Sequence, residues 1–162
     1  LDHPPTVPLQ ELNLKYLIRT LTALTLVLSL GAAHSETPED AKALLDSAVA
    51  TFKAKGKEAA IKEINAGGKW NKGSLYVVAV QFDGTMLAHS ANDKMAGKNM
   101  LEAKDAGGRY FVKDTIAAVK STGSGLVDMR WGNPVTKQIG DAQMFSKAVP
   151  GQEMYVGTVV FK

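Results

Sequence analysis

Apolar residues at Ala41, Leu44, Leu45, Ala48, Val49 and Phe52 recur at three- and four-residue intervals, the spacing of one helix face. Just before them, Thr37-Pro38-Glu39-Asp40 supplies an N-cap, a proline at the first helical position and acids in the first turn. Gly56 can end this helix or bend it. Residues 57–65 continue the amphipathic pattern, with Ala60, Ile61 and Ile64 on the apolar side, and Ala66-Gly67-Gly68 closes it.

From Leu75 the pattern changes. Residues 75–82 are rich in β-branched and aromatic side chains and read as a largely buried strand. Asp83-Gly84 predicts a tight hairpin turn, and residues 85–89 the return strand. Residues 90–108 are polar and glycine-containing, and predict a long loop with a short helical turn. A helix over residues 109–121 follows, with Val112, Ile116 and Val119 on one side, and then three β segments near 125–131, 143–149 and 154–161. The turns between those segments hold Gly132-Asn133-Pro134 and Pro150-Gly151-Gln152. The order helix, two strands, helix, three strands predicts an α+β domain, a five-stranded antiparallel sheet packed against helices.

The N-terminal part reads as a processing signal. Lys15 and Arg19 form a positive region, residues 20–33 an apolar one, and Ala33-His34-Ser35 a small-residue cleavage site before Glu36. The apolar run is short for a membrane span of about 20 residues, although an uncleaved N-terminal anchor is the alternative. Residues 1–14, with two acids and three prolines, do not fit such a signal and read as an upstream extension, with translation beginning at Leu14 from a non-standard codon. The division expected is therefore 1–14, 15–35 and a domain over 36–162, periplasmic or secreted.

Composition narrows the chemistry. The chain has 162 residues, a formal charge of +3 and no cysteine. Its lysines are scattered, without the basic clusters that mark a nucleic-acid surface, so no nucleic-acid partner is expected. Thiolate chemistry is excluded, and the only histidine beyond the leader is His89, too few for a multi-histidine metal site. There is no nucleophile elbow, phosphate-binding glycine loop or His-Glu-x-x-His pair, and acids such as Asp83 and Asp93 stand in turn contexts. No enzyme and no cofactor is expected. Met86, Met129, Met144 and Met154 fall in β segments and read as core filling, not as soft-metal ligands.

Pocket lining remains. Tyr76, His89, Trp131 and Asn133 stand at strand ends and in turns, where they can offer an apolar wall with a few directed polar groups. On pattern alone a pocket position and a satisfied core or surface position stand level for His89.

These residues lie within a longer series. It runs from Lys55-Gly56 through Leu75-Tyr76-Val77-Val78-Ala79-Val80, Phe82-Asp83-Gly84 and Leu87-Ala88-His89 to Asn92 and Gly97-Lys98-Asn99. It continues with Asp105-Ala106-Gly107-Gly108-Arg109-Tyr110-Phe111-Val112, Gly125 to Trp131, Asn133-Pro134, and the closing strand 155–161. In order and spacing the series resembles the single Cache domain family of extracytoplasmic sensor modules. The resemblance implies a PAS-like fold, in which a long N-terminal helix lies along the sheet and a pocket sits on one sheet face beneath a loop and helix insert. It implies reversible binding of a small metabolite, often a short carboxylate, and a place beside a membrane receptor, sensor kinase or transporter. Matching positions put Tyr76, His89, Trp131 and Asn133 near the ligand, with Lys98, Arg109 and Met129 as further candidates.

The chain departs from the family at three points. Met129 stands where an aromatic usually precedes the tryptophan by two. The strand around residues 142–145 lacks a lysine before its aromatic, and Lys147 comes too late, which puts an anionic ligand in doubt. No transmembrane segment follows Phe161, so a stand-alone domain is expected. The alternative reading is a structural or interaction module with a degenerate pocket, pairing with a second copy through the 41–52 helix face.

Overall fold

The computed structural model describes residues 36–162. The expectations for 1–14 and 15–35 lie outside the described residues. The elements in chain order are α1 (Pro38–Lys55), α2 (Lys57–Asn65), β1 (Asn71–Lys72), β2 (Leu75–Gln81), β3 (Met86–His89), α3 (Phe111–Thr122), β4 (Ser124–Gly132), β5 (Ile139–Ala148) and β6 (Met154–Phe161).

Helix α1 starts as its sequence predicts. The Thr37 hydroxyl accepts from the Asp40 backbone N–H, and the Asp40 carboxylate accepts from the Thr37 N–H, a reciprocal cap. Gly56 both ends α1 and opens α2, at φ 80°, a left-handed value that glycine adopts without strain.

The strands form one antiparallel sheet, with β2 between β6 on one side and β1 and β3 on the other, and then β5 and β4 outward from β6. The fold is α+β and PAS-like, with the five expected strands plus the two-residue β1. Two boundaries differ from expectation by two residues or more. β5 begins at Ile139, not at residue 143, because its first residues are largely solvent-facing and carry no core pattern, yet pair with β4 as Gly132↔Ile139 and Trp131↔Gly140. α3 begins at Phe111, because the Arg109 N–H is held by the Asp105 carboxylate instead of entering the helix.

Both sheet faces are buried. Leu75, Val77 and Ala79 of β2 pack with Val156 and Val160 of β6 against Leu45, Ala48, Phe52 and Ile64 of the helix pair. Tyr76, Val78 and Val80, with Tyr155 and Val159, face the opposite layer of α3 and the 90–110 segment. This is the period-two alternation of a strand buried on both sides. The Thr158 hydroxyl on the first face donates to the Ala41 carbonyl at 3.0 Å, so this buried polar group is satisfied.

The α1 face over residues 41–52 is thus spent on the sheet: Ala41, Leu44, Leu45, Ala48, Val49 and Phe52 are all buried within the domain. That corrects the expectation that this face pairs with a second copy. The apolar stripe that suggested an interface is the inner side of the core.

The 90–110 segment is held by backbone bonds. The Met86 N–H donates to the Lys98 carbonyl and the Met100 N–H to the Gly84 carbonyl, so residues 97–100 run beside β3. Asp105 then fastens the segment to β4: its carboxylate accepts from the backbone N–H groups of Gly107, Arg109 and Arg130 at 2.9, 2.7 and 2.8 Å. Burial raises the Asp105 carboxyl, but these three donors and Arg109 outweigh it and hold the group below the usual aspartate range. The Arg130 bond lies one residue before Trp131, so the clamp also places the indole.

Asp105→Asn retains the geometry but replaces an ionised acceptor and sets an amide N–H against a backbone donor. The variant should lose about 1.5–3 kcal/mol of unfolding free energy in urea titration. An unchanged midpoint would show that the clamp contributes nothing.

Candidate functional site

On the sheet face opposite α1, between the end of β3, the end of β4 and the turn at 133–138, lies an open cavity of about 420 Å³. That is within the usual range for small-molecule sites. Tyr76, His89, Trp131 and Asn133 all line it, together with Met95 and Lys137. The structure brings together the four residues singled out first in the sequence.

His89 is positioned by groups around its backbone. Its N–H donates to Asn65 Oδ1 at 2.9 Å, and Asn65 Nδ2 donates to the Leu87 carbonyl, so one amide at the end of α2 grips two residues of β3. The next residue, Ser90, is tied in turn: its Oγ accepts from the Val77 N–H and sits 2.6 Å from Asn71 Oδ1. The His89 ring stacks on Tyr76 with centroids 4.8 Å apart and planes 15° from parallel. The Asn92 N–H donates to Nδ1 at 3.1 Å. That bond makes Nδ1 an acceptor, so in the neutral ring the proton resides on Nε2. Burial pushes the imidazole down to about 4, against an ordinary 6.5. His89 is therefore a neutral Nε2–H donor at physiological pH.

Other polar groups of the lining can donate too. Burial raises the Tyr76 phenol far above its ordinary value, which leaves it a neutral hydroxyl. Trp131 leans on Phe111, with centroids 4.9 Å apart and planes at 52°, and its indole N–H can donate. Asn133 uses its Oδ1 to accept from the Val135 and Thr136 N–H groups. Its side-chain acceptor is spent on the turn, and the amide N–H₂ is what it can present to a ligand.

Lys137 was not foreseen. It is held at φ 61°, the left-handed region that a residue with a side chain rarely adopts, and its ammonium donates to the Pro134 carbonyl. The turn that imposes this is closed by the Asn133 N–H on the Gln138 carbonyl and the Lys137 N–H on the Asn133 carbonyl. The available signal was Asn133-Pro134 itself, a turn start that brings a residue a few positions later back over its own origin.

The further candidates separate. Lys98 is exposed, with its ammonium near the Met95 sulfur, and does not line the cavity. Arg109 reaches the Asp128 carbonyl at 2.9 Å and lies beside Asp105, on the far side of β4 from His89. Its place is in the loop clamp. Met129 is buried in a narrow cleft beneath the cavity. Met86, Met95, Met100 and Met144 line the same cleft, so methionines that look dispersed in sequence are gathered in space. Among the described residues, no group of three or more histidine, cysteine or acidic side chains could hold a metal ion, and no helix is long and apolar enough to cross a membrane.

The comparisons with known proteins agree with this fold. A relative, the sensor histidine kinase MctS of Rhizobium johnstonii, is 30% identical over 86 residues, which are 53% of this chain and 18% of the kinase. The chain thus spans under a fifth of that relative. A methyl-accepting chemotaxis protein from Vibrio parahaemolyticus superposes with a TM-score of 0.66 at 17% identity, over 93% of this chain and 95% of the other. A periplasmic sensor domain of a chemotaxis protein gives 0.59 at 18% identity, over 95% and 99%. A Cache chemosensory domain that recognises carboxylic acids gives 0.59 at 19% identity, over 96% and 99%. At these identities the likeness to solved structures is one of fold. Residues 33–161 match the Cache domain family denoted dCache_2. With nearly all of the described domain inside that match, the chain belongs to the Cache domain family, whose members are non-catalytic sensor modules of chemoreceptors and sensor kinases.

Proposed function

We propose that this Cache domain binds a short organic acid in the cavity at His89, outside the cytoplasm, and reports it to a membrane receptor, sensor kinase or transporter. One observation carries the reading: the described lining is rich in groups that can donate and holds a lysine but no carboxylate. Tyr76, His89, Trp131 and Asn133 can supply hydroxyl, imidazole, indole and amide hydrogens, Asn92 adds a second amide, Lys137 supplies a positive charge, and no aspartate or glutamate is among the described lining residues. Such a lining favours carboxylate oxygens and offers a cationic amine no carboxylate to pair with.

Lys137 answers the doubt raised by the lysine missing near residues 142–145. The cation comes from the 133–138 turn instead of from β5, and it can swing from the Pro134 carbonyl to a ligand oxygen. A backbone held in an unfavourable φ beside a cavity is a further pointer to a binding role. Recognition of carboxylic acids by a domain of the same fold lends the proposal support.

A thermal-shift screen of short carboxylates, amino acids, amines and purines tests the class, because a ligand that binds only the folded state raises the melting temperature. Carboxylates should stabilise and amines should not; stabilisation by amines or purines alone would overturn the reading. His89→Ala should weaken the best acid by roughly 10- to 100-fold in calorimetry, the loss expected for a donor to a charged group. Lys137→Gln should weaken it by about two- to fivefold and flatten its salt dependence, as befits an exposed charge. Unchanged affinities would remove these residues from the site.

The neutral state of His89 has its own signature. In the unfolded chain the ring takes up a proton near pH 6.5, and in the folded chain only near pH 4. The unfolded state therefore binds more protons between these values, and stability falls as pH drops through the window. Between about pH 7.5 and about pH 4.5 the loss from this group should be about 2–3 kcal/mol. Urea unfolding of the wild type and of His89→Gln across that range measures it: the variant should lack this part of the pH dependence, and identical slopes would refute the buried neutral ring.

A further inference from the structure

Beneath the donor-lined cavity runs a second, narrow space with room for about one water, roughly 20 Å³. Tyr76, His89, Met95 and Trp131 line both, so the same side chains form the floor of one and the entrance of the other. Below that entrance the lining is almost wholly apolar and unusually rich in one residue type. Of the six methionines in the chain, Met86, Met95, Met100, Met129 and Met144 surround the cleft. Met86, Met129 and Met144 come from three strands, Met95 and Met100 from the segment that covers them.

Methionine is unbranched and rotates about three side-chain bonds, so a wall built from it can change shape without moving the backbone. Leucine, valine or phenylalanine at these positions would fix the volume. Met95 and Met100 are also only half-buried and sit in the loop, where displacement disturbs little packing.

One polar atom interrupts this lining. Tyr155 on β6 is fully buried and faces the cleft, and its hydroxyl has no hydrogen-bond partner among the described residues. A buried donor without an acceptor is rare in folded proteins and destabilises them. Phenylalanine would fill the same space without that penalty. An acceptor brought in by a ligand would satisfy the hydroxyl.

We infer that the ligand is an organic acid with an apolar tail of several carbons, its carboxylate among His89, Asn133 and Lys137 and its tail in the methionine cleft. An oxygen acceptor near the end of that tail meets Tyr155. The inference rests on the acid-binding reading above and deepens it: the smallest acids fill only the outer cavity, and the longer ones draw extra affinity from the cleft.

The test is a calorimetric ladder on the intact domain with acetate, butanoate, hexanoate and octanoate, together with an oxo-hexanoate carrying its carbonyl near the tail end. Affinity should rise along the ladder by up to about fourfold for each methylene that becomes buried. The oxo-hexanoate should bind more tightly than hexanoate in the wild type, and Tyr155→Phe should shrink that ratio by about five- to tenfold. Because the ratio is taken within one variant, a general loss of stability cancels from it. A ladder that is flat, or highest at acetate, would overturn the tail proposal and leave the acid-binding site standing. Failure of every acid to bind would overturn both. A ladder that rises with a ratio unmoved by Tyr155→Phe would keep the tail in the cleft and overturn the role of Tyr155.

Discussion

The site depends on the two-sided alternation of β2. Leu75, Val77 and Ala79 belong to the helix layer, and Tyr76, Val78 and Val80 to the pocket layer. Slipping the strand by one residue against β6 would turn Tyr76 into the α1 core and deprive His89 of the ring it stacks on. The register is held from both sides, Tyr76 opposite Val159 on β6 and Val78 opposite His89 on β3. Gly157, opposite Val78, lets that side of the sheet pack closely: a β-carbon there would lie 3.1 Å from a Val78 methyl and 3.3 Å from the Met144 sulfur.

Around that register, polar side chains serve the backbone in order to place the site. Asn65 holds β3, Ser90 ties its end to β2, Asp105 joins the covering segment to β4, and Asn133 closes the turn that carries Lys137. The cavity is left with neutral polar side chains that can donate, and with one lysine. Such a set exploits the low dielectric of a buried wall, where a hydrogen bond to an ionised oxygen is strong. It also avoids burying a positive charge, which the burial of His89 disfavours.

Much of this was legible in the sequence because the signals are local. The Thr37 cap, the Asp83-Gly84 turn and the alternation in residues 75–82 each follow from neighbouring residues, and Tyr76 and His89 stand near the ends of the hairpin strands so defined. What escaped was long-range or masked by exposure. The first residues of β5 gain their strand state from pairing with β4, not from a core pattern. The α1 stripe looked available because the sequence does not show the sheet that covers it. Lys137 reaches the cavity through a turn conformation that its own residue type disfavours. The methionines come together only when three strands and a loop are assembled.

The central claim is that His89 is a neutral donor whose Nε2 proton faces an acid. Long-range proton–nitrogen NMR spectra of the imidazole, recorded at about pH 7 with and without a short carboxylate, read that state directly. The free protein should show the neutral Nε2–H form, and that proton should shift downfield when the acid binds. A cationic ring, the opposite tautomer, or a spectrum that does not respond to the bound acid would contradict that claim.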